Sequence, residues 1–161
     1  MKKTATISLV VPVFNEEGNI VPLISAIDAV VFPEHYELLE VLLIDDGSID
    51  GSAEKIAECC VTHEKLKLIQ FERNFGQTSA MSAGFKHAKG DLVICLDADL
   101  QNDPMDIPKM LEKLDEGYDL VSGWRKYRKD PPLRTILSKF ANRLIGWTTG
   151  LYLHDYGCSL K

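Results

Sequence analysis

Residues 91–104 read DLVICLDADLQNDP. Leu92 to Leu96 are apolar at every position, and a run without polar alternation is what a strand buried on both faces looks like. Two carboxylates, Asp97 and Asp99, follow at once. Acids two positions apart at the end of so apolar a run repel each other, so a cation is expected to compensate them. A buried strand that ends in paired acids therefore sets both the fold and the place to look for chemistry.

Four further β-rich runs resemble it: ISLVVPVF (7–14), LLEVLLID (38–45), LKLIQF (66–71) and DLVSGW (119–124). Segments with helical spacing lie between them, carried by Ile20, Leu23, Ile24 and Ile27, then Ala53, Ile56, Ala57 and Cys60, then Ala80, Met81, Gly84 and Phe85. A fourth, 104–117, opens on Pro104 and closes on Gly117, as helix ends prefer. Pro131-Pro132 breaks the chain before a last helical stretch, 133–148, ending near Gly150. The order β-α-β-α predicts an α/β fold with a mostly parallel central sheet and helices on both faces. Ligands of such sheets bind beyond the carboxyl ends of the strands. With 161 residues and neither an internal repeat nor a linker, one domain spanning 1–161 is expected.

Composition narrows the function. Hydrophobic residues make up 45% and charged residues 26%, which is ordinary for a globular chain. No apolar run approaches the roughly 18 residues of a membrane span, and Pro12, Glu16 and Glu17 come too early for a signal peptide, so the piece reads as soluble and cytoplasmic. Cys59, Cys60, Cys95 and Cys158 form no CxxC pair and His35, His63, His87 and His154 are scattered, which suggests neither disulfides nor zinc. Residues 124–143 carry seven Lys and Arg against Asp130 alone, a net of +6 that leaves −12 on the rest of a chain whose total is −6. That stretch is either a solvated helix face or the place where something anionic is handled. An acidic protein without a nucleic-acid-reading motif is not expected to bind nucleic acid.

Three strand ends collect polar residues: PVFNEE (12–17), DDGSIDGS (45–52) and DADLQNDP (97–104). Asp46-Gly47-Ser48 alone reads equally as a turn with a helix cap. Mg2+ and Mn2+ take one or two protein carboxylates and fill their other positions with water and phosphate oxygens, so Asp97-x-Asp99 suits a diphosphate ligand. Neither GxxxxGK[ST] nor GxGxxG is present, which weighs against kinase, ATPase and dehydrogenase readings. Neither GxSxG nor HExxH is present, which weighs against hydrolases.

VPVFNEE, IDDGSIDGS, RNFGQTSAMSAGF (73–85), GDLVICLDADLQNDP and DYGCSLK (155–161), in this order and spacing, resemble the family 2 glycosyltransferases with a GT-A fold. The narrower resemblance is to the polyprenyl-phosphate branch, which includes dolichol-phosphate mannose synthases, and above all to the undecaprenyl-phosphate formamido-arabinose transferases. It implies that Pro12, Phe14 and Glu16 surround the nucleotide, with Asp45 and Asp46 at the base, Asp97 and Ala98 by the diphosphate, and Arg73 reaching the donor. Asn74 either joins Arg73 or caps a helix. Asp99 and Gln101 are implied as ligands of Mg2+ or Mn2+, and Arg125 and Arg134 as the holders of the acceptor's phosphate. Asp155 is either an assisting carboxylate or a loop residue.

The implied reaction is inverting transfer of a sugar from a nucleotide-diphosphate sugar, a UDP-sugar in the first instance, to a polyprenyl phosphate for cell-envelope glycan or lipid modification. Relatives of this branch continue into transmembrane helices. The resemblance thus implies a catalytic-domain piece of a protein at the cytoplasmic face of the membrane, and leaves a homo-oligomer open. Ile49, where threonine is usual, is a peripheral departure. Rival readings are a family 2 transferase with a hydroxyl acceptor, which needs a general base, a non-catalytic nucleotide-sugar-binding domain, and a nucleotidyltransferase, whose glycine-rich basic N-terminal loop is missing.

Overall fold

The computed structural model describes residues 4–123, 147 and 160–161. Four strands form one sheet: β1 (Ala5–Val13), β2 (Tyr36–Asp45), β3 (Leu66–Gln70) and β4 (Leu92–Cys95). Helices α1 (Glu17–Asp28), α2 (Ser52–Thr62) and α3 (Gln77–His87) connect them. A 3-10 turn over Pro104–Asp106 then leads into α4 (Ile107–Leu114). The sheet order is β3-β2-β1-β4 and every pairing is parallel. Parallel neighbours need crossovers, and the α-helices supply them. All four carboxyl ends therefore lie along one edge of the sheet.

Successive side chains of a strand point to opposite faces, and both faces here are covered. Ile7, Leu9, Val11 and Val13 of β1 join Ile20, Leu23 and Ile27 of α1, Ile56 of α2, and Ile107 and Leu111 of α4 in the larger core. Val10, Leu42 and Ile44 face the other way, onto Ala80 of α3. Gly84 lets α3 press close, because a Cβ there would stand 2.3 Å from Val10 Cγ1. Glycine inside a helix costs about 1 kcal/mol, so close packing is the reason for it at this position. Two residues of the expected apolar spacing fare differently: Ala57 of α2 and Phe85 of α3 are exposed. An amphipathic stripe narrower than the apolar spacing is enough to hold α2 and α3.

The fifth expected strand is not there among the described residues, where 119–123 carry no strand. The edge of β4 is met instead by the last residues of the sequence. Cys95 N–H donates to Lys161 O at 2.9 Å and Lys161 N–H to Cys95 O at 3.3 Å. That exchange of both bonds is the antiparallel pattern. Gly123 N–H then donates to Leu160 O at 2.9 Å, so the described end of this run meets Leu160 rather than β4. Expected features over 124–146 and 148–159, including the last helix and the basic stretch, lie outside the described residues.

Candidate active site

The loops that follow β1, β2, β3 and β4 meet in one open cleft of about 340 Å³. Pro12, Val13, Phe14, Glu16, Asp46, Asn74, Gln77, Asp97, Ala98 and Asp99 line it. Of the residues assigned to the nucleotide sugar, Pro12, Phe14, Glu16, Asp46, Asp97 and Ala98 are thus together, and Asp99 is with them. The residues that lead into the first, second and fourth of these loops are anchored in the core, since Val13, Ile44 and Leu96 are fully or almost fully buried.

Hydrogen bonds lock the first two loops together. Asn15 N–H donates to Ser48 Oγ and Asn15 Oδ1 accepts from Ile49 N–H, both at 2.9 Å. Glu16 N–H donates to Ser52 Oγ at 2.8 Å, and Glu17 N–H to Asp50 Oδ2 at 3.2 Å. Asn15 reaches this arrangement with φ of 56°, a left-handed conformation that Asn tolerates better than most residues. The Ser52 hydroxyl and amide both donate to Asp50, which holds that carboxyl below its usual range. Ile49 itself is exposed.

The second and third loops are joined through Asp46. Its Oδ1 accepts from Phe75 N–H at 2.8 Å and its Oδ2 from Gly76 N–H at 2.9 Å, so both oxygens hold the turn that leads into α3. Gly47, with φ of 69°, sits so close to this turn that a Cβ would lie 2.3 Å from the carbonyl carbon of Arg73. Asp46 therefore lines the cleft as a tether with its acceptors occupied. Asp45, one residue earlier, does not line it and is fully buried. Its Oδ2 accepts a long bond from Ser48 N–H at 3.3 Å, whereas Oδ1 has no partner among the described residues. A buried carboxylate oxygen without a donor costs about 1–3 kcal/mol or more, and such an oxygen is a place for a ligand's N–H or O–H.

At the end of β4, Asp97 Oδ1 accepts from Gln77 Nε2 at 2.8 Å. Asp99 Oδ1 accepts from Gln101 N–H at 3.1 Å. Leu100 between them has φ of 59°. A left-handed leucine costs roughly 1–2 kcal/mol, and strain of this kind concentrates at functional loops. Among the described residues no group of three His, Cys, Asp or Glu comes together as a metal cage. What the cleft offers instead is a carboxylate pair, the donor set that Mg2+ or Mn2+ uses when phosphate oxygens and water complete its shell.

Three assigned residues among those described do not line the cleft: Asp45, buried behind it, and the exposed Arg73 and Gln101. The Arg73 guanidinium carbon is 5.0 Å from the centre of the Phe75 ring. Gln101 reaches Asp99 through its backbone. Arg125, Arg134 and Asp155 lie outside the described residues. Conversely, Val13, Asn74 and Gln77 line the cleft, and Gln77 had no role assigned from sequence. Its signal was available, because a residue right after Gly76 opens a helix and belongs to the RNFGQ block.

A sheet of this order with acids gathered at its carboxyl edge defines a nucleotide-diphosphate-sugar type of α/β domain. The profile of glycosyl transferase family 2 matches residues 8–157, and the chain belongs to that family. It is 50% identical to a dodecaprenyl-phosphate galacturonate synthase of Rhizobium johnstonii, over 96% of this chain and 46% of that protein. It is 45% identical to an undecaprenyl-phosphate 4-deoxy-4-formamido-L-arabinose transferase of Aeromonas hydrophila, over 96% of this chain and 48% of that one. The chain thus spans about half the length of these relatives. Among solved structures, mannosyltransferase PcManGT of Pyrobaculum calidifontis, in complex with GDP-Man and Mn2+, shares the fold with a TM-score of 0.60 at 24% identity, over 72% of this chain and 33% of that one.

Proposed function

We propose that the full-length protein is an inverting glycosyltransferase that moves a sugar from a nucleotide-diphosphate sugar, with a UDP-sugar favoured, to a polyprenyl phosphate. The observation that carries this reading is the convergence of Phe14, Glu16, Asp97 and Asp99 on one cleft at the carboxyl edge of the sheet. Names of relatives at 45–50% identity support the lipid-phosphate acceptor. Among the described residues no helix is long and apolar enough to cross a membrane. Membrane contact at the cytoplasmic face is therefore proposed from those relatives' acceptors alone.

The donor's base and ribose would occupy the side of the cleft formed by Pro12, Phe14 and Glu16, with Asp45 behind them at the base end. A divalent ion, Mg2+ or Mn2+, would be held by the Asp97 and Asp99 pair, with Gln101 next to Asp99, and would offset the charge that develops on the departing nucleotide. The donor set fits it, since Asp99 Oδ2 has no partner among the described residues. Mn2+ in PcManGT supports the same reading. A phosphate monoester is anionic at neutral pH, so its oxygen can attack the anomeric carbon without a strong base. Arg125 and Arg134 would position it and reduce its repulsion from the diphosphate.

Lipid-linked product analysis with the full-length protein, a panel of UDP- and GDP-sugars and undecaprenyl phosphate tests this. Transfer to the lipid phosphate is expected, with the anomeric configuration inverted. Transfer to a sugar hydroxyl only, or binding of donors without turnover, would replace the reading.

A further inference from the structure

We propose that Gln77 is a positioning residue that sets the Asp97 carboxylate for a divalent ion and diphosphate, an inference that rests on the function proposed above. Its Nε2 donates to Asp97 Oδ1 at 2.8 Å, joining the start of α3 to the end of β4 across the cleft. Gln77 is itself held from behind. Asp46, at the end of β2, grips Phe75 N–H and Gly76 N–H, and Gly76 turns the chain into α3 with φ of 92°. One line of hydrogen bonds and covalent structure thus runs from the end of β2, through the first residue of α3, to the acid at the end of β4.

The choice of an amide matters for the charge in the cleft. Glu16, Asp46, Asp97 and Asp99 line it, and no Lys or Arg does among the described residues. A cationic side chain on Asp97 would fix its rotamer but would also neutralise it and compete with a divalent ion. The amide N–H supplies one hydrogen bond and leaves the carboxylate's full charge in place. Partners of this kind behind a ligating group typically change metal affinity by about 10–100-fold when removed.

The test compares Gln77→Ala, Gln77→Glu and Asp97→Asn in the full-length protein, with Mn2+ binding measured by electron paramagnetic resonance in the presence of UDP. Gln77→Ala is expected to weaken Mn2+ binding about 10-fold and to raise the Mn2+ concentration that half-saturates turnover. At saturating Mn2+ its kcat should recover, with the acceptor KM unchanged. Gln77→Glu, whose carboxylate can accept but not donate, is expected to weaken Mn2+ binding at least as much. Unchanged or tighter Mn2+ binding in both Gln77 variants, while Asp97→Asn loses it, would overturn the role of Gln77 alone. Wild-type Mn2+ affinity and turnover in Asp97→Asn would overturn the underlying reading of the cleft. Gln77 is exposed, and alanine suits a first helical turn, so all variants should melt within about 2 °C of the parent.

Discussion

Strand β2 buries two acids five residues apart, and the protein treats them in opposite ways. Glu40 and Asp45 are both almost wholly shielded from solvent. Glu40 lies toward the amino end, next to a register shift between Ile7 and Ser8 that marks a bulge. Its Oε1 accepts from Ser8 Oγ and from Lys89 N–H, each at 2.8 Å, and its Oε2 from Lys67 Nζ at 2.6 Å. Burial pushes the Glu40 carboxyl up, but Lys67, Ser8 and the Lys89 amide together hold it below its usual range. Asp45, at the carboxyl end, keeps one oxygen with nothing to bind among the described residues. The lesson is that burial alone does not distinguish a structural acid from one kept for a ligand. Satisfaction separates these two acids: Glu40 has both oxygens filled by the protein, and one oxygen of Asp45 has no partner among the described residues, which fits the nucleotide-binding role proposed for it.

Four substitutions would break or sharpen that contrast. The largest effect is expected at the open end: Asp99→Ala in the full-length protein should lower transfer about 10³-fold, near 4 kcal/mol, with the melting temperature kept within about 2 °C. Near-normal transfer, read as lipid-linked product, would contradict the role of that acid. At the finished end, Glu40→Ala should destabilise the fold by about 2–3 kcal/mol in urea titration, because the Ser8 hydroxyl, the Lys89 amide and the Lys67 ammonium lose their acceptor. Donor KM should not move. Asp45→Asn should do the reverse, leaving stability unchanged or slightly raised while nucleotide binding by calorimetry weakens about 10-fold, near 1.4 kcal/mol.

The smallest effect concerns acid. The folded-state pKa of Glu40 lies below its unfolded value, so its stabilisation is complete above the unfolded value of about 4.3 and is lost as pH falls through the lowered one. Glu40→Gln should therefore flatten the acid limb of a stability-against-pH curve below about pH 4.3. An unchanged acid limb would show that Glu40 is not what the fold loses in acid.

Much of this was legible from residues alone. Strands β1 to β4 announced themselves as runs apolar almost throughout, and parallel pairing forces their ends to one edge, so the meeting of Glu16, Asp46, Asp97 and Asp99 followed from order and polarity. Three things were not legible. The run at 119–124 has strand-like composition, but its place beside β4 is taken by Leu160 and Lys161, a competition between distant segments that local pattern cannot express. Asp46 looked like a turn residue or a ligand, and only the arrival of Phe75 and Gly76 makes it a tether. The contrast between Glu40 and Asp45 was invisible for the same reason, since each depends on donors from elsewhere in the chain.

Lys161 closes the outer edge of the strand that carries the paired aspartates, 66 residues downstream of its partner Cys95, and Leu160 beside it completes the larger core. During synthesis from the amino terminus, β1, β2 and β3 can pair as soon as they emerge, but this edge waits for the ribosome to release the 160s. Closing so long a loop is slow and entropically costly. A nascent chain halted before that point would carry an unsealed edge beside its acids, open to pairing with another chain. The edge beside the paired aspartates is therefore sealed later in synthesis than the strands it flanks.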